Sequence, residues 1–142
     1  MLGLALAATL AAQTGGWTWT LYENGDSIVL ANEIPDTTRL RTVLACDAHG
    51  GVARVTVYGL TAAGNGFATL SSGEASAAVE AEGQSGAGGP RLTAPLRLDH
   101  PVFAAFQTSG RLEVRSGDET RAVMIGPRHL PQLGRFAALC GE

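Results

Sequence analysis

Cys46 and Cys140 are the only two cysteines in the 142 residues of this chain, and the second closes the run Leu130-Pro131-Gln132-Leu133-Gly134-Arg135-Phe136-Ala137-Ala138-Leu139-Cys140. Pairing them would enclose most of the chain in one covalent loop of about 95 residues, worth about 4–5 kcal/mol in the chain-entropy picture. The local patterns allow it. Pro131 fits only near the start of a helix, so a helix is expected from about Leu130, with Gly141 as a natural stop. On a helical projection Leu130, Leu133, Phe136, Ala137 and Cys140 form one stripe, with Gln132 and Arg135 opposite. In the run 40–47, strand alternation puts Leu40, Leu44 and Cys46 on one face. Both sulfurs then point into the same core, and the bond pins a terminal helix to an early strand. So short a helix is marginal alone and depends on that docking.

A disulfide of this kind belongs to an oxidising compartment. The first twelve residues are apolar and end in Leu10-Ala11-Ala12, which predicts a signal peptide over 1–12, followed by one domain over 13–142 and a periplasmic or secreted protein. The apolar run is well short of the roughly 20 residues needed to cross a bilayer, so no integral membrane anchor is expected. All ten basic residues are Arg, the formal charge is -3, and no basic cluster stands out in the sequence, which argues against nucleic acid as a partner.

Along the remainder, alternation and turn residues predict antiparallel strands. Trp17 to Tyr22 alternates, with Trp17, Trp19 and Leu21 on one face; Asn24-Gly25 turns it into an apolar strand from Ser27 to Ala31. His49-Gly50-Gly51 turns the cysteine-bearing strand back into one with Ala53, Val55 and Val57 inward and Arg54, Thr56 and Tyr58 outward. Strands are expected next at 67–71 and 75–81, then a mobile loop tip over the low-complexity stretch 83–90, then an edge strand over 91–98, because Pro95 cannot donate to a ladder. Asp99 or His100 stands where an N-cap belongs, Pro101 at the first helical position and Gly110 past the end. The short helix between them would turn Phe103 and Phe106 to one side. A hairpin from Arg111 to Ile125 precedes the terminal helix. The fold class is thus mainly β: an antiparallel β-sandwich of about seven to nine strands, with one short helix and a C-terminal helix docked by the disulfide.

No catalytic set converges in this pattern. His49, His100 and His129 each stand beside a turn or helix start, and Asp99-His100, as sequence neighbours, suit capping better than a dyad. Glu80 and Glu82 are expected on one strand face, a solvated arrangement rather than a glycosidase pair. There is no C-x-x-C, no Cys/His pair at zinc spacing, no P-loop and no dinucleotide fingerprint, so no metal or cofactor is expected. The candidate ligand or partner contacts are Trp17, Trp19, Tyr58 and His100. The two tryptophans could form an aromatic platform, although their size suits the core better.

The order of features resembles the VasI-like periplasmic proteins associated with bacterial type VI secretion. The likeness rests on the Trp17 strand, Asp26-Ser27 opening an apolar strand, a Leu-rich strand ending at Cys46, an apolar helix before Leu112-Glu113-Val114, and a terminal helix ending in Cys140. The region 72–90 departs from the family pattern. The resemblance implies an accessory or recognition role without catalysis. The expected function is therefore that of a non-catalytic exported binding or accessory protein of the cell envelope, its partner a protein or another envelope component. The alternatives are a small envelope hydrolase or hydrolase inhibitor using His100 or His49, and a structural subunit of an envelope assembly.

Overall fold

The computed structural model describes residues 16–142, and the expected signal peptide at 1–12 lies outside the described residues. In chain order the elements are β1 (Thr18–Asn24), β2 (Ser27–Glu33), β3 (Leu40–Asp47), β4 (Val52–Tyr58), β5 (Phe67–Ser72), β6 (Ala75–Glu80), β7 (Glu82–Gly86) and β8 (Gly89–Arg97), then α1 (Pro101–Ser109), β9 (Arg111–Ser116), β10 (Glu119–Met124) and α2 (Leu130–Cys140). They form two antiparallel sheets, one of six strands in the order β1-β2-β3-β4-β8-β7 and one of four in the order β10-β9-β5-β6. The hairpins β1–β2, β5–β6 and β9–β10 close through two-residue turns whose first residue is Gly25, Gly73 or Gly117, each at positive φ. That is the position a type II′ turn reserves for glycine, and its twist suits the strands it joins.

One hydrophobic cluster fills the space between the sheets. The wide sheet contributes Ile28, Leu30, Leu44, Val55, Val57, Leu92 and Leu96, and the narrow one Leu70, Leu112, Val114 and Val123, all buried. The helices complete it. α1 packs on β5, β6 and β9, α2 packs on β1 and β2, and the two helices touch. Phe103 and Phe106 meet edge to face with ring centroids 6.1 Å apart, and both are buried, as their spacing predicts. His100 is the N-cap of α1, its Nδ1 accepting the Val102 N–H at 3.0 Å, and Gly110 ends the helix in the left-handed region.

The Cys46–Cys140 disulfide is present, with Cα atoms 5.9 Å apart and both residues fully buried. Leu133 and Phe136 share the buried stripe of α2 with Cys140, and Leu130 and Ala137 are half-buried beside them. The expected glycine stop works differently. Gly141 is extended rather than left-handed, and the β3–β4 turn caps the helix instead: the N–H groups of His49 and Gly51 donate to the carbonyls of Leu139 and Cys140 at 3.0 and 2.8 Å. Carbonyls that a helix end leaves open are thereby paired with the segment that follows Cys46.

Four other expectations are corrected. The described residues form ten strands, because 83–90 is not a loop tip: Glu82–Gly86 forms β7 and pairs with β8 from Glu82↔Thr93 to Gly86↔Gly89. Low side-chain complexity removed the alternation signal but left the backbone donors and acceptors that a ladder needs. Glu80 and Glu82 do not share a strand, since the chain leaves the narrow sheet after Glu80 and enters the wide sheet at Glu82. β8 is an interior strand, but β7 ends opposite Thr93, so Pro95 sits on a half of β8 that has β4 on one side only. That restores the edge-like setting proline requires. Finally, the two tryptophans part: Trp19 is core, whereas Trp17 precedes β1 and is half-buried elsewhere.

Candidate functional site

Alternation along the wide sheet decides which side chains reach its outer face. Leu44, Val55 and Leu92 turn inward, so the odd-numbered residues of β3 and β8 and the even-numbered ones of β4 turn outward. This puts Arg41, Tyr58 and Arg91 on the outer face at one end of three adjacent strands, and Tyr58 pairs directly with Arg91. The β2–β3 connection brings Arg39 to the same end, and the residue ahead of β1 brings Trp17. The Arg41 guanidinium carbon lies 4.0 Å from the Trp17 ring centroid and that of Arg39 5.7 Å, while that of Arg91 lies 6.0 Å from the Tyr58 ring.

Trp17, Tyr58, Arg39 and Arg41 line a groove of about 370 Å³ with Thr38, Leu40 and Gly88. Arg91 instead borders a separate depression of about 200 Å³ with Thr61, Ala62, Gly83, Ser85 and Pro90. Among the described residues no carboxylate pairs with Arg39, Arg41 or Arg91, and no hydrogen bond engages their guanidinium groups. The ion pairs present use other arginines, joining Arg54 to Asp47, Arg97 to Asp99, Arg111 to Glu113 and Arg135 to Glu23. An aromatic face steadies a guanidinium from one side and leaves its in-plane N–H fork open. Two such forks at one groove, with that of Arg91 next to Tyr58, can bind oxyanions by paired charge-assisted hydrogen bonds.

Of the four contacts expected from sequence, the structure brings Trp17 and Tyr58 together here. Trp19 is in the core, its indole N–H donating to the Met124 carbonyl at 3.1 Å. His100 is the N-cap of α1, and it borders a separate apolar cleft of about 360 Å³ with Val52, Val79, Pro95 and Leu96. The expectation of no basic cluster is corrected locally. Arg39, Arg41 and Arg91 are scattered in sequence and meet only because β3, β4 and β8 are neighbours. The legible signal was Arg-Leu-Arg at 39–41 on strand period and an Arg near the start of β8.

The histidines are engaged structurally. His49 is exposed at the β3–β4 turn, with Nδ1 3.0 Å from the Gly141 carbonyl, and His129 Nε2 lies 3.3 Å from Thr18 Oγ1. None of the three has both a carboxylate and a hydroxyl within hydrogen-bond reach among the described residues, the geometry a hydrolase triad needs. The carboxylate shifts belong to structural partners: hydrogen bonds from Arg97 hold the Asp99 carboxyl below the usual range, and those from Thr61 do the same for Glu119. Among the described residues no three His, Cys, Asp or Glu gather as metal ligands, and no helix is long and apolar enough to cross a membrane. No protein-family model, curated protein or solved structure matches this chain.

Proposed function

We propose that this chain is a non-catalytic binding or accessory module, exported to the periplasm or beyond in a bacterial cell envelope, and that it recognises an anionic ligand at the groove lined by Arg39 and Arg41, with Arg91 next to its Tyr58 wall. The observation that carries the reading is the set of three guanidinium groups steadied by Trp17 and Tyr58 rather than neutralised by carboxylates. Unpaired cations held on a rigid sheet keep their binding capacity for something outside the chain. The buried disulfide is compatible with export. An accessory role also accords with the resemblance to VasI-like periplasmic proteins.

Retention of the native protein on immobilised dextran sulfate, compared with neutral dextran, tests the reading. Salt-sensitive retention that falls at least tenfold in Arg39→Gln/Arg41→Gln is expected. Equal retention of the wild type and this variant would overturn the groove as the site. Cell fractionation with a C-terminal tag tests export, with the signal expected in the periplasmic or secreted fraction.

A further inference from the structure

β6 is an edge of the narrow sheet, paired with β5 on one side and, among the described residues, with no strand on the other. Ser72↔Ala75 closes the two-residue β5–β6 turn, and such a pair exchanges both its hydrogen bonds, so Ala75, Ala77 and Val79 aim their backbone groups at β5. Those of Ser76, Ala78 and Glu80 therefore face outward, and among the described residues no hydrogen bond engages them. Phe67, opposite Glu80, fits this phase, since its N–H donates to Asn65 Oδ1 at 3.0 Å instead of to β6.

The other edges are blunted. α2 packs on β1 and is tied to it by Arg135 and Glu23, and the Trp19 indole takes the Met124 carbonyl at the end of β10. β7 is short and contains Gly83 and Gly86, and the half of β8 that β7 leaves open carries Pro95. β6 has no proline, no bulge and a single charged residue, Glu80, so it keeps none of the devices that stop an edge from accepting another strand. Beside it opens the apolar cleft bordered by Ala77, Ala78, Val79, Pro95 and Leu96.

We infer that the occupant of this edge is β6 of a second copy of the chain, related by a two-fold axis through Ala78. Opposite residues of an antiparallel pair share a face of the sheet, so the axis passes through a residue and not between two. Centring it on Ala77 would set Glu74 opposite Glu80 twice, like charges in direct register. Centring it on Ala78 sets Glu80 opposite Ser76, whose hydroxyl can donate to the carboxylate. It also satisfies every outward backbone group: Ala78 exchanges both hydrogen bonds with its counterpart, and Ser76 does so with Glu80 of the second copy. On the inward face Val79 of one copy meets Ala77 of the other beside the cleft, which takes half-buried apolar surface out of water. The pairing uses neither Arg39 nor Arg41 and does not rest on the groove.

The test is sedimentation equilibrium of the native chain from about 1 µM to about 1 mM, over which a reversible monomer–dimer equilibrium is expected. Ala78→Pro removes an outward N–H that the single sheet does not use, so it should leave the fold intact and raise the dimer Kd at least tenfold. Ala78→Arg, at an exposed position, sets two like charges across the axis and should weaken the dimer as well. Ser76→Arg, facing Glu80 of the second copy, should tighten the dimer about threefold, and Ser76→Glu should weaken it comparably. A chain that stays monomeric throughout the range would overturn the second copy as the occupant. A dimer that both Ala78 variants leave unchanged would place the interface elsewhere and overturn the edge. Equal responses to Ser76→Arg and Ser76→Glu would overturn the register. Unchanged near-ultraviolet circular dichroism establishes that the variants are folded, and Ala78→Arg decides the matter where Ala78→Pro is not.

Discussion

Gly51 donates its backbone N–H to the Cys140 carbonyl at 2.8 Å, so the residue whose sulfur is bonded to Cys46 is also held through its main chain by the turn that follows β3. The terminal helix is therefore attached twice at one point. Replacing both cysteines, as Cys46→Ala/Cys140→Ala, removes the covalent tie and leaves the His49 and Gly51 hydrogen bonds. Stability should fall by about 3–5 kcal/mol, the range for a long enclosed loop. The variant should still fold, and hydrogen exchange should accelerate first at the amides of α2, before those of β3. A uniform rise across both elements would show that the helix does not open independently of the sheet.

Trp19 closes the side of the sandwich where β1 and β10 are edge strands of different sheets. Its indole N–H is the hydrogen-bond partner of the Met124 carbonyl across that gap. Trp19→Phe keeps an aromatic ring in the core but leaves this acceptor without its donor. A loss of about 1–3 kcal/mol is expected from denaturant unfolding, the cost of a part-buried unpaired group with some lost packing. A change below about 0.5 kcal/mol would mean that solvent replaces the indole without cost.

The sandwich was legible because inward residues such as Ala53, Val55 and Val57 are separated by outward Arg54 and Thr56. Alternation says which face a side chain takes. It does not say which strands are neighbours, so the meeting of Arg41 on β3 with Tyr58 on β4 and Arg91 on β8 was out of its reach. β7 was lost for a different reason: Gly83 and Gly86 have no side chain to alternate, and Gly83 is required because a Cβ there would press on that of Ala62. Trp17 strayed from its expected place because the ladder begins at Thr18, and ahead of that position the ring follows Arg39 and Arg41 rather than the strand.

Gln132 was expected on the solvent side of α2, yet it is half-buried and its Oε1 is buried without a hydrogen-bond partner among the described residues. An unpaired buried carbonyl is a standing cost. Gln132→Met has nearly the same shape and helix propensity without the polar group, so it should raise stability by about 1 kcal/mol, read as a higher denaturation midpoint at unchanged m-value. A lower midpoint would indicate that the amide is satisfied in solution.

Arg97 grips Asp99 through Nε and Nη2, at 2.9 and 2.8 Å to its two carboxylate oxygens. First the hydrogen bonds and then the charge lower the Asp99 pKa in the folded state. A depressed folded pKa contributes stability above the unfolded pKa, and this contribution is lost as pH falls through the folded value. Because the pair is exposed, the effect should be small. The stability difference between wild type and Asp99→Asn should be constant above about pH 5 and shrink toward zero in more acidic solution. A difference that grows on acidification would reverse the assignment.

Gly110 joins α1 to β9 at a place where both conformation and space exclude a side chain. Its φ is 73°, its N–H donates to the Phe106 carbonyl at 2.7 Å, and its own carbonyl accepts from Ile125 at 2.7 Å. A Cβ at this position would overlap the Ile125 carbonyl oxygen. Gly110→Ala therefore combines left-handed strain with a clash against backbone, which cannot rotate away as a side chain would. The helix end, the start of β9 and the segment after β10 must all shift, and Phe106 is drawn with them. Stability should fall by about 2–4 kcal/mol, beyond the common range for surface changes. Gly126→Ala, where a Cβ meets nothing within 4 Å, is the control and should stay within about 1 kcal/mol. If the two variants unfold at the same denaturant concentration, the close approach of Gly110 to Ile125 is not a constraint on the fold.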